Sequence, residues 1–422
     1  MELTPGYKQT ELGVIPMDWE ARAVSELSQI KTGPFGTLLK ASEYSDREGV
    51  PIISVGEIGA GSFKVTEHTP LASKSVVRRL PQFVLRSGDI VFGRKGAVER
   101  SALVTEAEDG WFLGSDGIAI RPRDGCHSPY LAAQFQSHEV KSWLLQNAIG
   151  TTMASLNQAI LGRVQVPIAP LPEQCAIAAT LSDVDALLGG LERLIAKKRD
   201  LKEAAMQQLL TCLTRLPGFH GKWEVKRLGD VGSTYGGLTG KAKADFGSGE
   251  GRYITFMNVM SNVKIDTQSF DYVRVAPGES QNRVMCGDLL FNGSSETPEE
   301  VAMCSILTED VPELYLNSFC FGFRIRPGAV ADGLFLTYLL RSNVGREVMK
   351  SLAQGSTRYN LSKGALLKAA IQLPSSNEQA AIAAVVSDID TELSALIARR
   401  DKTRALKQAM MQELLTGKTR LV

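Results

Sequence analysis

The 422-residue sequence lacks paired cysteines, long apolar runs and a leader-like start. Its six cysteines are scattered without a Cys-x-x-Cys pair, which argues against a disulfide framework or a cysteine zinc site and indicates reduced thiols. There is no stretch of about 18 or more uncharged apolar residues, so a membrane-spanning helix is not expected. The N-terminus, MELTPGYKQTELG, lacks the basic-then-apolar order of a secretory signal. These absences predict a soluble, cytoplasmic protein.

Catalytic motifs are lacking as well. The string GGLTGKA at Gly236 imitates a phosphate-binding loop, but Tyr235 stands where the motif needs glycine and Ala242 where it needs serine or threonine. An adenine methyltransferase would need an Asn/Asp-Pro-Pro-aromatic loop, and the chain contains no Pro-Pro pair. The four histidines do not have metal-binding spacing. The sequence therefore predicts no catalytic residue, no metal site and no cofactor bound by this chain.

A strong excess of one charge is also missing. With 47 basic and 46 acidic residues, the net charge is +1. This balance argues against a protein that coats nucleic acid without specificity, because such proteins are usually strongly basic. It leaves room for a protein with local basic patches that reads nucleic acid.

The sequence does contain a long internal repeat. At an offset of 205 residues, Glu173–Thr211 aligns without a gap to Glu378–Thr416, and 21 of the 39 positions are identical. Trp19 likewise matches Trp223, GDIVFGRKG at position 88 matches GDLLFNGSS at position 287, and GTTMASLNQAIL at position 150 matches GSTRYNLSKGAL at position 355. The chain is therefore a tandem duplication in the order domain, helix, domain, helix. The predicted boundaries are 1–170, 171–213, 214–373 and 374–422.

The most similar parts of the repeat have the period of long helices. Apolar residues recur at alternating spacings of four and three, which is typical of a coiled-coil seam. Both helices open acidic and end basic, so antiparallel pairing would bring opposite charges together. We expect a two-helix antiparallel coiled coil that acts as a spacer. The predicted seam consists of Ile177, Leu181, Val184, Leu188 and Leu191 in the first helix and Ile382, Val386, Ile389, Leu393 and Leu396 in the second.

The two flanking domains have the pattern of mixed α/β folds. Short β-rich runs such as Val50–Val55, Gly88–Phe92 and Phe319–Ile325 are separated by glycine and proline turns. Regular βαβ alternation is missing, which argues against a doubly wound nucleotide-binding fold. The predicted class is α+β, with two mixed α/β domains separated by the coiled coil and related by a pseudo-two-fold duplication.

Glycine-bounded polar loops occur at equivalent places in both halves. Lysines and backbone N–H groups suit phosphates, whereas Asn, Arg and Ser side chains can reach base edges. Ordinary turn chemistry is the alternative for each residue taken singly, and recurrence in both halves favours a functional role. The candidate DNA-binding residues are Lys31, Thr32, Phe35, Lys40, Arg94, Lys95, Thr151, Thr152 and Met153 in the first half, and Tyr235, Thr239, Lys241, Lys243, Asn292, Ser294, Arg358, Tyr359 and Asn360 in the second.

With these features assembled, the chain resembles the specificity subunits of type I restriction-modification systems over essentially its full length. The duplicated EQxAIAAxxSDxD helix ending in MQxLLT, the closing TGKTRLV, and the strings YGGLTGKAKADF and YITFMNV carry the resemblance. It implies two target recognition domains, each reading half of a bipartite double-stranded DNA site, with helices that fix the spacer. It also implies two modification subunits, which bind S-adenosylmethionine and methylate adenine, and motor-nuclease restriction subunits.

The duplication itself predicts an asymmetric target, because the helices are more alike than the domains they separate. Similar helices can present one surface to two copies of a partner, while dissimilar domains can read different sequences. Two other classes stay open on sequence alone. A coiled-coil scaffold without sequence-specific DNA binding would have the same rods, and a self-contained methyltransferase or nuclease would need motifs that the chain lacks.

Overall fold

The structure is a computed structural model that describes residues 5–34, 36, 38–45, 47–150 and 152–421. The chain divides into two compact units. Unit 1 comprises Met1–Glu192 and Arg399–Val422, and unit 2 comprises Arg193–Ala398. Each unit thus combines one predicted recognition domain with parts of both long helices.

The domain of unit 1 is built from short strands and helices. Its strands are β1 (Tyr7–Thr10), β2 (Gly13–Pro16), β3 (Glu20–Ala23), β4 (Ser28–Thr32), β5 (Tyr44–Ser45), β6 (Val50–Ile53), β7 (Leu71–Ala72), β8 (Ile90–Gly93), β9 (Ser101–Leu103), β10 (Phe112–Leu113), β11 (Gly117–Pro122) and β12 (Gln165–Ile168). Its helices are α1 (Val24–Leu27), α2 (Lys74–Arg79), α3 (Ser128–Gln136), α4 (His138–Asn147) and α5 (Gln158–Arg163), and the long helix α6 (Leu171–Leu210) begins here.

The central sheet of unit 1 has the order β4-β11-β8-β9 with antiparallel neighbours. Alternation along the strands sends side chains to two faces. Ile118 and Ile120 face a core that also contains Phe135 of α3, whereas Val91 and Ala119 face a second core. That second core lies against another sheet, in the order β10-β6-β7-β5.

Unit 2 repeats this plan. Its strands are β13 (Glu224–Arg227), β14 (Gly232–Gly236), β15 (Phe246–Ile254), β16 (Phe270–Val273), β17 (Leu289–Asn292), β18 (Ser294–Ser295), β19 (Cys304–Ile306), β20 (Leu314–Leu316), β21 (Cys320–Ile325), β22 (Tyr359–Asn360) and β23 (Ala370–Leu373). Its helices are α7 (Leu228–Val231), α8 (Phe256–Ser261), α9 (Gly333–Arg341), α10 (Asn343–Leu352), α11 (Lys363–Lys368) and α12 (Ser376–Leu414), the last of which ends in unit 1.

The central sheet of unit 2, β14-β21-β17-β19, matches that of unit 1 strand for strand. A smaller sheet, β16-β15-β20, takes the place of the second sheet of unit 1. From α3 onwards the correspondence is closer still, because α3, α4 and α5 begin 205 residues before α9, α10 and α11. Serine caps the helix N-terminus at both equivalent positions, where Ser137 accepts from Val140 and Ser342 from Gly345.

The long helices pair antiparallel in each unit, as predicted. In unit 1, Lys407 binds Asp185 at 2.6 Å and Arg404 binds Glu192 at 3.1 Å. Residue numbers therefore rise along one helix where they fall along the other, as antiparallel pairing requires. In unit 2, Lys202 binds Asp390 at 2.6 Å. The residues of the predicted seam are buried or half-buried throughout. The predicted fold class, two mixed α/β domains with a paired-helix spacer, is confirmed.

Candidate nucleic-acid interface

A closed loop follows α4 in unit 1, and we call residues 149–155 the first tip loop. The backbones of Ile149 and Ser155 exchange hydrogen bonds of 3.0 and 2.8 Å, which close the loop. Gly150 has a φ of 111°, and a Cβ there would collide with the carbonyl oxygen of Met153. Only glycine therefore suits this turn. The backbone thus closes the loop at its two ends.

A second segment is tied to this loop. Gly96 N–H donates to the carbonyl of Ala154 at 2.8 Å, and Leu156 N–H donates to that of Arg94 at 2.8 Å. The exposed Lys95 lies 3.8 Å from Asp116 through its Nζ. These bonds bring together Arg94, Lys95 and the described tip residues Thr152 and Met153, which lie far apart in the sequence.

Unit 2 builds the same arrangement with different side chains. Gln354 and Asn360 exchange backbone hydrogen bonds of 2.9 and 2.8 Å and close the second tip loop, residues 354–360. Gly355 has a φ of 125°, and a Cβ there would collide with the carbonyl oxygen of Arg358. The strand pair β18–β22 replaces the link to Lys95, with Ser294 opposite Asn360.

The second tip loop carries a supported guanidinium group. Arg358 is exposed and donates through Nη2 to Ser294 Oγ at 3.2 Å. Asn360 is also exposed and donates through Nδ2 to the carbonyl of Arg358 at 3.1 Å. Because Ser294 is buried, its hydroxyl orients Arg358 and does not itself face solvent. The predicted group Ser294, Arg358, Tyr359 and Asn360 is therefore brought together, with Arg358 and Asn360 outermost.

The predicted loop of residues 31–40 divides between two sides of its strand. Thr32 accepts a hydrogen bond from Gln158 Nε2 at 3.1 Å, which links it to α5 beside the first tip loop. Lys31 donates to the carbonyl of Gln82 at 3.1 Å, and its Nζ lies 5.9 Å from the centre of the Phe83 ring. Adjacent residues of a strand point to opposite faces, so Lys31 and Thr32 do not form one site. Lys40 is exposed.

Two predicted residues of this half, Phe35 and Thr151, lie outside the described residues.

The structure corrects the prediction for Asn292. Its side chain is fully buried and donates to the carbonyls of Ser294 at 3.1 Å and Glu300 at 2.9 Å, while Oδ1 accepts from Met303 N–H at 2.5 Å. The amide is thus used within the protein, where it shapes the loop after β17. The prediction that Asn292 reads a base is wrong for this reason.

The structure also corrects the prediction that Lys241 contacts DNA. Its side chain is only 5% exposed, and its Nζ binds Glu279 at 2.5 Å and the carbonyl of Arg274 at 2.6 Å. The bond from Lys241, followed by those from Gln281 and the Ala276 N–H, lowers the pKa of Glu279 to about 2. Lys241 is therefore committed to an internal ion pair instead of a phosphate. Lys243, two residues on, is exposed, as is Thr239.

Tyr235 also has internal partners. Its hydroxyl donates to Asp288 at 2.7 Å, and the guanidinium carbon of Arg324 lies 5.1 Å from its ring centre. Burial, together with the negative charge of Asp288, raises the pKa of Tyr235. The hydroxyl and the ring of Tyr235 are thus both in contact with other residues of the protein, and its contact with DNA stays a prediction.

Sequence reasoning overlooked several residues beside the tip loops. Thr357 is exposed at the position equivalent to Thr152, and Lys363 replaces Gln158 at the start of the following helix. The offset of 205 residues would have identified both. Leu145 and Ile149 are also exposed, but a sequence does not reveal which apolar residues of a helix end face solvent.

Among the described residues, no group of three or more His, Cys, Asp or Glu side chains is placed to hold a metal ion. In the same part of the chain, no helix combines the length and apolar character needed to cross a membrane.

Known proteins match this chain over nearly its full length. The family model of the type I restriction modification DNA specificity domain matches twice, at residues 16–198 and 220–403. The putative type I restriction enzyme MjaX specificity subunit of Methanocaldococcus jannaschii is 24% identical, with 98% of this chain and 97% of the relative covered. The MjaVIII specificity subunit of the same organism is 23% identical, with 96% and 94% covered.

Solved structures share the fold. The S subunit of a type I restriction-modification system from M. genitalium has a TM-score of 0.60 at 16% identity, with 98% of this chain and 99% of that chain covered. A chain solved in work on complex assembly and conformational transition of the type I R-M system has a TM-score of 0.55 at 18% identity, with 96% and 99% covered. Two family matches, one in each half, disfavour a scaffold without DNA specificity. The protein belongs to the family of type I restriction-modification specificity subunits.

Proposed function

We propose that unit 1 and unit 2 each read one half of an asymmetric, bipartite double-stranded DNA target, with the tip loops among the reading elements. The observation that carries this proposal is the pair of loops that are closed by the same backbone hydrogen bonds and carry different side chains. Loops closed in the same way can approach DNA similarly in both units, while Met153 in one loop and Arg358 in the other offer different chemistry to the bases. Two different half-sites follow.

The chain itself performs no catalysis in this proposal. Methyl transfer belongs to two modification subunits, which bind S-adenosylmethionine, and DNA cleavage belongs to motor-nuclease restriction subunits. Because its target is DNA, the complex works in the cytoplasm. The similar chain solved in work on complex assembly of the type I R-M system supports assembly with other subunits.

The long helices are proposed to dock the two modification subunits and to set the gap between half-sites. Their repeated features support two equivalent docking surfaces. Leu201 in unit 2 and Leu406 in unit 1 are 49% and 55% exposed and stand 205 residues apart. The ion pair Lys202–Asp390 is likewise the repeat equivalent of Lys407–Asp185. Surfaces that recur in this way suit two copies of one partner.

Docking can be tested by counting subunits. We expect Leu201→Asp and Leu406→Asp each to remove one modification subunit from the complex, and the double variant to remove both, as measured by native mass spectrometry. Leu213→Asp is the matched control, since Leu213 is 73% exposed and its repeat position holds Lys418. Full stoichiometry in the double variant would contradict this docking surface.

The reading function is tested with the assembled methyltransferase. Methylation-sensitive sequencing of DNA from cells that carry the complex should show one asymmetric bipartite target. Exchange of residues 214–373 for the matching segment of a relative should change one half of it, and insertion of about one heptad in a helix should change the spacer or break assembly. Methylation without sequence preference would overturn the proposed function.

A further inference from the structure

Three exposed apolar side chains follow one another at the end of α4 in unit 1. Leu145, Ile149 and Met153 are 54%, 58% and 59% exposed, and we call them the apolar tip. The opposite face of α4 already supplies the core through the buried residues Val140 and Leu144. The apolar tip is therefore not needed for packing within the described part of unit 1. Leu145 lies in the last turn of α4 and the other two residues follow it, and apolar groups exposed together at one helix end suit contact with another molecule.

The equivalent residues of unit 2 have the opposite character. At the constant offset of 205 residues, the apolar tip corresponds to Lys350, Gln354 and Arg358, all of them exposed. The backbone does not differ in the same way, because both loops are closed by paired hydrogen bonds and turn at a glycine with positive φ. The closure of the loop is thus shared, and the exposed side chains at these three positions differ.

This contrast indicates which kind of partner the surface meets. The docking helices are similar in both halves, as expected where two copies of one protein bind. A surface with the same backbone and contrasting chemistry fits partners that differ, and the two DNA half-sites are the partners expected to differ. The basic Lys95, whose backbone pairs with Ser155 beside the apolar tip, is consistent with a nearby phosphate backbone.

The chemistry of DNA then narrows the ligand. In the major groove, the C5-methyl group of thymine is the apolar feature that distinguishes one base from another. We infer that the apolar tip of unit 1 recognises thymine methyl groups in its half-site, with Met153 as the main contact. This inference rests on the proposed function. It specifies thymine as a base that unit 1 recognises. It also assigns this recognition to a residue that has neither a charge nor paired hydrogen-bond donors.

Deoxyuridine gives a direct test, because it pairs like thymidine and lacks only the methyl group. The assembled methyltransferase is titrated with duplexes in which each thymine of the unit 1 half-site is replaced singly. At one or more positions we expect affinity to fall about fourfold, the factor for one buried methyl group. Met153→Ala should weaken binding to the thymine duplex by a similar factor and remove the difference between thymine and uracil.

Met17→Ala is the matched control, since Met17 is also 59% exposed in unit 1 but lies outside the tip loop. It should keep the full sensitivity to uracil. Selective binding that is insensitive to uracil throughout this half-site would overturn the inference and leave the proposed function standing. Full thymine preference in the Met153→Ala complex, or a half-site of G·C pairs alone, would also overturn it. Loss of all sequence selectivity in the wild-type complex would instead reject the proposed function.

Discussion

Units 1 and 2 share a central sheet, paired helices and a closed tip loop, yet they differ where these elements meet solvent. The segment after β8 in unit 1 contains the basic residues Arg94, Lys95 and Arg100 and one acidic residue, Glu99. The longer segment after β17 in unit 2 contains the acidic residues Glu296, Glu299 and Glu300 and no basic residue. Both units keep an ion pair between a buried aspartate and an arginine. The distance is 2.6 Å both in Asp89–Arg121 of unit 1 and in Asp288–Arg324 of unit 2. Duplication has therefore preserved the scaffold and changed the chemistry displayed on it.

The longer segment of unit 2 is held by the side chain of Arg346. Arg346 donates to the carbonyls of Glu299, Val301 and Ala302, and Ala302 itself has a φ of 54°, which is rare for a residue with a side chain. The equivalent position in unit 1 is Lys141. Burial lowers the pKa of both Arg346 and Lys141.

The largest effect is expected when this support is removed. Arg346→Ala leaves three carbonyls without their donor and should cost unit 2 about 3 kcal/mol, since bonds from a charged group are the strong ones. Hydrogen exchange should rise in peptides of unit 2 and stay unchanged in those of unit 1. Lys141→Ala is the control at the equivalent position. Equal loss of protection in both variants would show that the two segments depend on the same support.

The next test exchanges the two tip residues. Arg358→Met should relax discrimination at one base pair by about 10- to 100-fold, the range for a good hydrogen-bonded base contact. Met153→Arg should remove the smaller preference for thymine, about fourfold, that one buried methyl group provides. Each change should affect only the half-site of its own unit. Binding curves over single-base variants of the target, measured for both complexes, check this. A uniform loss of affinity for every sequence would mean that Arg358 positions the DNA and does not read it.

A smaller difference lies beneath the central sheets. In unit 1 a cavity of about 160 Å³ is lined by Lys31, Ala119 and Arg121. In unit 2 the ring of Tyr235 occupies the equivalent place, and a Cβ on Gly322 would collide with it. Lys31→Tyr alone should therefore destabilise unit 1 by a clash with Ala119. Adding Ala119→Gly should recover about 1 to 2 kcal/mol, the usual size of coupling between residues in contact.

Urea unfolding of the single and double variants measures this coupling. Additive effects of the two substitutions would show that the cavity of unit 1 does not accept the tyrosine in the way that unit 2 does.

The smallest expected effect distinguishes exposed lysines from a paired one. Lys40→Ala in unit 1 and Lys243→Ala in unit 2 should weaken binding to all sequences and lower the salt slope by about one. Lys241→Ala should leave the salt slope unchanged, because that lysine binds Glu279. Binding at several salt concentrations gives the slopes. A slope that falls with Lys241→Ala would restore this lysine as a phosphate contact.

The pKa of Glu279 is an independent measure of the same pair. Because its pKa is lowered to about 2, the Glu279 carboxylate stays charged and paired at every pH above the ordinary pKa of a glutamate. The stabilisation by the ion pair is lost only as the pH falls through about 2. Lys241→Ala should return the pKa towards its usual value near 4, as followed by NMR of the carboxyl carbon. An unchanged pKa would show that Gln281 and the backbone suffice.

Much of the plan was accessible from the sequence. The offset of 205 residues predicted the duplication, and the apolar spacing predicted both long helices and their seam. The polar tip loops were also found, because glycine and short polar residues recur at positions 150 and 355. The predictions for Asn292 and Lys241 failed. Their residue types suit DNA, but both side chains find partners within the protein.

The sequence alone determined the elements whose cause is local. A heptad spacing decides which face of a helix is apolar, and a duplicated string is visible without any knowledge of contacts. The tertiary structure decided which side chains are left for a partner. Lys241 meets a carboxylate 38 residues away, and Thr32 meets an amide 126 residues away. Hydrogen-bond partners at such separations are set by strand pairing and packing, so exposure of a polar or apolar group is a property of the folded chain.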